Sequence, residues 1–287
     1  MKRFVKPSML IGSILLLSAC KPVDWVEKEW NAAFNDSEKK NQSEEKKNET
    51  EKKEDQAKKP DQSKTPSESN SGQEQNQKDL PWLEETVQAS SDGKSIVQNP
   101  DDLLVVANKE RNLPGDYEPK DLVIPNVPFP FKEDLPKKKM RKEAASALEE
   151  LFKGAEDQGL ELLAQSGYRS YETQVSIFTY NANQRGKEKA NQVSAQPGQS
   201  EHQTGLSMDV TSPKVNYGLE EKFGETPEGK WLAENANQYG FIIRYLKGKE
   251  KVTGYSYEPW HLRYVGKEHA KEIYKRGITL EEYLDKK

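Results

Sequence analysis

From Asp36 to Asp79 the chain has no aromatic residue and no Val, Ile, Leu or Met, and Ala57 is its one aliphatic side chain. The stretch is Lys, Glu, Gln, Asn and Ser with occasional Pro. Such a segment has too little apolar surface to offset the entropy lost on ordering. Any hydrophobic core must therefore be built from the residues C-terminal to it. In a chain of 287 residues this leaves room for one domain, expected over 95–287, with 21–94 as a disordered polar tether. The overall 33% hydrophobic and 32% charged residues are thus averages over two kinds of chain. A net charge of -4 gives no reason to expect nucleic-acid binding, which usually needs a clearly basic surface.

Residues 1–20 read as a targeting segment. Lys2, Arg3 and Lys6 form a positive start, and Met9 to Ala19 an apolar stretch too short to span a bilayer as a permanent helix. It ends in Leu17-Ser18-Ala19-Cys20, and Cys20 is the only cysteine. The pattern resembles a bacterial lipobox, which implies a lipoprotein signal peptide cleaved before Cys20 and lipidation of its thiol. The expectation is an extracytoplasmic protein, anchored by lipid to the outer face of the cell membrane. A tether of roughly 60 residues has an r.m.s. span of about 40–45 Å. With Cys20 lipidated, no disulfide is available, so the core and a metal must stabilise the fold.

Globular character begins between Leu80 and Ile96. An extended, Pro-punctuated arm runs through Leu113-Pro114, Tyr117-Glu118-Pro119 and Leu122 to Phe131. From Met140, apolar Ala144, Leu148, Leu151, Phe152 and Ala155 recur at helical spacing. Leu160 to Ala164 reads as a strand, followed by a helix carrying Gln174, Ile177, Phe178 and Tyr180. A polar loop is expected over 184–199. Thr226-Pro227 opens a further helix that Gly240 closes, and Thr279 with Glu282 forms a capping box. Phe241 to Leu246 and Tyr255 to Tyr264 read as strands. Interspersed helices and strands without a repeat indicate an α+β fold, with a small, mainly antiparallel sheet flanked by helices.

The chain has three histidines: His202, His261 and His269. His202 sits in Ser200-Glu201-His202-Gln203-Thr204-Gly205-Leu206-Ser207-Met208-Asp209, and His261 in Glu258-Pro259-Trp260-His261. A catalytic zinc takes three protein ligands and keeps a fourth position for water, whose pKa it lowers to about 7. Two histidines and a carboxylate meet that count, and a nearby carboxylate such as Glu258 could act as general base. Each histidine alone is more simply a surface or hydrogen-bonded residue. His269, among Lys267, Glu268 and Lys271, keeps that reading. Residues three apart on a regular strand face opposite ways, so Glu258 and His261 can share a site only if Pro259 marks a bend or bulge.

Ser-x-His-x-x-Gly-x-x-x-Asp followed by Glu-Pro-Trp-His resembles the VanY-type D-alanyl-D-alanine carboxypeptidases, zinc peptidases related to LD-carboxypeptidases, VanX-type dipeptidases and the hedgehog fold. The likeness runs from Leu103 to the C-terminus and includes Asn108-Lys109, Leu113-Pro114 and Tyr117-x-Pro119-x-x-Leu122. Ser207 departs from the alanine common there, but stays small. The resemblance implies one Zn2+ per chain on His202, Asp209 and His261, with Glu258 as catalytic base. Gly167-Tyr168-Arg169-Ser170 with Gln174 resembles the family's substrate-side motif, where Arg169 would hold the oxyanion or the substrate's terminal carboxylate. It further implies substrate contacts from Gln174, Ser200, Tyr245 and Trp260, the last two also readable as core aromatics.

The expected reaction is zinc-dependent removal of the C-terminal D-alanine from peptidoglycan stem peptides by a monomer. The tether and lipid anchor fit a polymeric substrate just outside the membrane. An LD-carboxypeptidase, a D-Ala-D-Ala dipeptidase or a non-catalytic zinc-containing wall-binding lipoprotein are the alternatives.

Overall fold

A computed structural model of the protein describes residues 80–286. The signal segment, Cys20 and most of the expected tether lie outside the described residues. Two strands open the described chain, β1 (Val87–Ala89) and β2 (Ser95–Val97), paired antiparallel. β2 runs parallel to β3 (Arg111–Asn112). The expected boundary at 95 is therefore too late. Leu80 is buried, and the buried Arg111 donates to Leu83 O and Thr86 Oγ1, each at 2.7 Å. A guanidinium out of water needs these acceptors, and they come from residues before 95.

The arm contributes β4 (Leu122–Val123), paired with β5 (Met140–Arg141). Helix α1 (Lys142–Glu156) comes next and buries Ala144, Leu148, Leu151, Phe152 and Ala155, the expected stripe. β6 (Leu163–Ser166) leads to α2 (Tyr171–Arg185), whose first turn is capped by Ser170 Oγ accepting from Thr173 N at 3.2 Å. The strand lies later than expected because Leu160 N still bonds back to Ala155 O, closing the helix before it. The expected loop 184–199 contains α3 (Lys187–Val193). Gly186, at φ +83°, breaks α2, and the good helix formers after it start again and bury Ala190.

β7 (Ser207–Thr211), α4 (Pro227–Asn235), β8 (Phe241–Tyr245), α5 (Glu250–Thr253), β9 (Glu258–Tyr264), α6 (Lys267–Arg276) and α7 (Leu280–Leu284) complete the described elements. Thr226 caps α4, and the Thr279–Glu282 capping box forms as expected. The main sheet has the order β6-β7-β9-β8 and is antiparallel throughout. Met208, Val210, Leu262 and Phe241 join Leu148, Leu151 and Phe152 in the main core. Ile242, Val265, Ala270, Ile273, Leu280 and Leu284 form a second cluster with Leu80 and Leu104. The expected α+β architecture is the one observed. Among the described residues, no helix is long and apolar enough to cross a membrane.

Candidate metal centre

Alternation along β7 sends Met208 and Val210 to the core and Asp209 the other way. On the paired β9, Asp209 lies opposite His261. His202 comes from the short 3-10 turn Glu201–Thr204 just before β7, which Gly205 closes in the left-handed conformation at φ +66°. A Cβ there would lie 2.9 Å from Leu122 Cδ2, so both the turn and the packing call for glycine. One ligand atom from each of His202, Asp209 and His261 lies within 4.8 Å of the others, and all three residues are buried.

The required irregularity is present. β8 and β9 slip register between Ile243, opposite Leu262, and Tyr245, opposite Glu258. Between these pairs one residue of β8, Arg244, thus faces three of β9, and the bulge spans Pro259 to His261. It brings Glu258 Oε2 to 3.7 Å from His261 Nδ1. Burial pushes the Glu258 carboxyl up to about 7; His261 opposes this and Asp209 adds to it.

His202 Nδ1 lies 2.8 Å from Gly167 O, which assigns the hydrogen to Nδ1 and leaves a lone pair on Nε2. Burial drives this imidazole down to about 3, so it is neutral at physiological pH. Nε2 then faces Asp209 Oδ2 at 3.4 Å, acceptor to acceptor. Asp209 Oδ1 is buried without a hydrogen-bond donor and lies 3.1 Å from His261 Nδ1. Burial disfavours the His261 cation, but Asp209 and Glu201 outweigh it and hold the imidazolium up to about 9. Two imidazole nitrogens and a carboxylate oxygen converging on one point fit a divalent cation in a two-nitrogen, one-oxygen set once His261 Nδ1 has given up its proton.

Arg169 donates from Nη1 to Gln174 Oε1 at 3.0 Å and from Nη2 to Ser166 Oγ at 3.4 Å, and makes no salt bridge among the described residues. The residue is half-buried; desolvation lowers the guanidinium's pKa, while Asp209 and Glu258 favour the cation. Gln174 is fixed in turn by donating to Ala195 O at 2.7 Å. Tyr245 stacks on His261 with centroids 4.9 Å apart. Ser200 is buried and immediately precedes the His202 turn. Trp260 is partly buried and packs against the main core. His269 pairs with Tyr283 Oη at 2.9 Å.

Sequence reasoning missed the buried charges behind the ligands. Glu201 Oε2 lies 3.5 Å from His261 Nε2, a long contact, and accepts from Ser207 Oγ at 3.3 Å. Glu201 Oε1 takes Arg244 Nε at 2.6 Å and Arg263 Nη1 at 2.7 Å. Burial disfavours the Glu201 anion, but the two arginines outweigh it and keep it ionised. Glu201 adjoins His202 and Arg263 lies two residues after His261, so both were within reach of the motif. Nothing local pairs Arg244 with Glu281.

Residues 137–267 match the family VanY: D-alanyl-D-alanine carboxypeptidase. The chain is 53% identical over 195 residues to YodJ of Bacillus subtilis (strain 168), which carries the name of a carboxypeptidase; the match covers 68% of this chain and 71% of that one. The solved LdcB LD-carboxypeptidase is similar at 52% identity and a TM-score of 0.67, over 69% of this chain and 92% of that chain. A mutant of the vancomycin resistance D,D-pentapeptidase VanY, solved in complex with Zn(II), is similar at 31% identity and a TM-score of 0.52, over 63% and 98%.

Proposed function

Because the chain belongs to the VanY family of carboxypeptidases, which act on peptidoglycan-related peptides, we propose that it is a zinc-dependent enzyme releasing the C-terminal D-alanine from peptidoglycan stem peptides. The observation that carries this reading is the convergence of His202 Nε2, Asp209 and His261 Nδ1 on one point beside Glu258. When bound, zinc supplies Lewis-acid polarisation and makes water acidic enough to lose a proton near neutral pH. Glu258 takes that proton as the water oxygen attacks the scissile carbonyl carbon. It returns the proton to the nitrogen as the C–N bond breaks, so D-alanine leaves as a neutral amine. Arg169, held by Gln174 and Ser166, offers its free donors to the developing oxyanion or to the terminal carboxylate. Ser200 and Tyr245 would border the substrate beside His202 and His261.

The family name points to a D,D bond. The 52% identity to the LdcB LD-carboxypeptidase, against 31% to the VanY D,D-pentapeptidase, favours an L,D bond instead. Purified protein incubated with muramyl tetrapeptide and pentapeptide, then subjected to mass analysis, decides between them. Loss of alanine from the pentapeptide alone would overturn the L,D reading. Glu258→Gln should keep zinc and lower kcat by about 10²–10⁴-fold, the contribution of a positioned acid–base group. Undiminished turnover would refute Glu258 as the base. The reading also includes lipid anchoring at Cys20, outside the described residues, on the outer face of the membrane.

A further inference from the structure

Four buried charged side chains behind the metal centre form one connected set that ends on the C-terminal helix. Arg244, on β8, is fully buried and divides its donors between two carboxylates. Its Nε donates to Glu201 Oε1 at 2.6 Å, while Nη1 and Nη2 form a fork on Glu281 at 2.8 and 2.6 Å. Glu281 belongs to α7 and also accepts from Asn108 Nδ2 at 3.2 Å. Arg263 donates to Glu201 Oε1, and its other amino nitrogen is taken by Leu103 O and Val105 O at 2.8 and 2.7 Å. Both arginines therefore act on one oxygen of Glu201. The other oxygen is left to Ser207 and to His261 Nε2.

We propose that Glu281 is a positioning residue for the metal centre, acting through Arg244 and Glu201 on His261. A bidentate fork is the preferred way for guanidinium to meet a carboxylate. Glu281 occupies the fork, so Arg244 presents only Nε to Glu201. Without Glu281, the fork would turn to the nearest remaining carboxylate and compete with His261 Nε2 for Glu201 Oε2. It would also leave two arginines over one carboxylate, an excess positive charge directly behind a metal ligand. Either effect weakens the contact that orients His261 with Nδ1 toward the ion. The tail of the chain is on this account part of the metal site, although Glu281 is no ligand.

The proposal rests on the zinc reading above, so the wild-type zinc dissociation constant is measured first, by competition with a chromophoric chelator. An absence of zinc binding would sink that reading and this one with it, whereas tight zinc binding that Glu281→Gln leaves unchanged sinks this one alone. Groups that orient a metal ligand typically change affinity 10–100-fold, and Glu281, one step further back, should act at the lower end. Glu281→Gln should thus weaken zinc binding about tenfold. Leu284→Ala, which loosens the packing of the same helix without touching a charge, should lower the thermal stability of the metal-free chain but leave zinc affinity unchanged. In an Arg244→Met background the Glu281→Gln change should have no further effect on zinc binding. Wild-type affinity in Glu281→Gln overturns the proposal. So does an equal loss in Leu284→Ala, or an undiminished Glu281→Gln effect when Arg244 is absent. If circular dichroism shows Arg244→Met unfolded, the comparison of Glu281→Gln with Leu284→Ala decides alone.

Discussion

At the residue scale, His261 is the proposed ligand at which a proton competes with the metal. His261 stays charged up to about pH 9 because Asp209 and Glu201 outweigh its burial, whereas ligation needs Nδ1 free. Below pH 9 zinc must expel this proton, so affinity weakens as pH falls, by up to about tenfold per unit. Zinc binding at pH 7 should release on the order of one proton, visible as a heat that changes between two buffers of different ionisation enthalpy. Heats independent of the buffer would refute the protonated state. These residues were the most legible part of the chain. His202, Asp209, His261 and Glu258 were readable as a candidate metal site because histidine is scarce and carboxylates lie beside both copies, and their roles, with that of Arg169, followed from the resemblance of the motifs to the family's. Glu201 was passed over because a carboxylate beside a histidine looks like any solvated charge until it is found buried between two arginines.

At the scale of elements, the site depends on where strands depart from regular alternation. The bulge at Pro259 to His261 is demanded by the chemistry, since Glu258 and His261 have opposite parity on a regular strand. The turn after β6 is equally constrained. Gly167 O receives His202 Nδ1, while Gly167 N donates to Lys137 O and Tyr168 N to Lys139 O. A Cβ on Gly167 would meet Lys139 O and lie 2.8 Å from Met208 Cε. Gly167→Ala should therefore displace the carbonyl that fixes the His202 tautomer and weaken zinc binding about 10–100-fold. Unchanged zinc affinity in a folded Gly167→Ala protein would show that this carbonyl does not orient the ligand. Periodicity identified α1, and cap residues identified the starts of α4 and α7, whereas the Ser170 cap of α2 emerged only in the structure. It failed at α3, where a seven-residue helix is too short to display an apolar stripe, even though Ala190 within it is fully buried.

On the scale of the whole molecule, the described chain begins earlier than composition suggests. A protein starting at Leu80 should be folded and match the full chain's turnover of whichever soluble muramyl peptide is its substrate, because every proposed metal-binding and catalytic residue lies beyond that point. One starting at residue 95 loses β1, Leu80 and the acceptors of Arg111. A buried charged donor left unsatisfied costs about 1–3 kcal/mol or more. Its thermal midpoint should fall clearly below that of the longer form, and equal midpoints would return the boundary to 95. Anchoring belongs to this scale too. Cys20→Ala should move the protein from the membrane to the soluble fraction with turnover on soluble peptide intact, and a variant still in the membrane fraction would exclude the lipid anchor.

The amino-acid sequence by itself determined the chemistry: a stretch barred from any core, a two-histidine, one-carboxylate set, a base three residues before a ligand, and an arginine with its glutamine. The scarce histidines and their neighbouring carboxylates are read from side-chain type, the roles of Glu258, Arg169 and Gln174 from the resemblance of their motifs to the family's, and neither needs a fold to be read. Only the tertiary structure decided that Arg111 draws in the chain before residue 95 and that Arg244 joins Glu201 to Glu281. Burial and charge pairing between distant residues depend on how strands and helices pack, and no local pattern carries that.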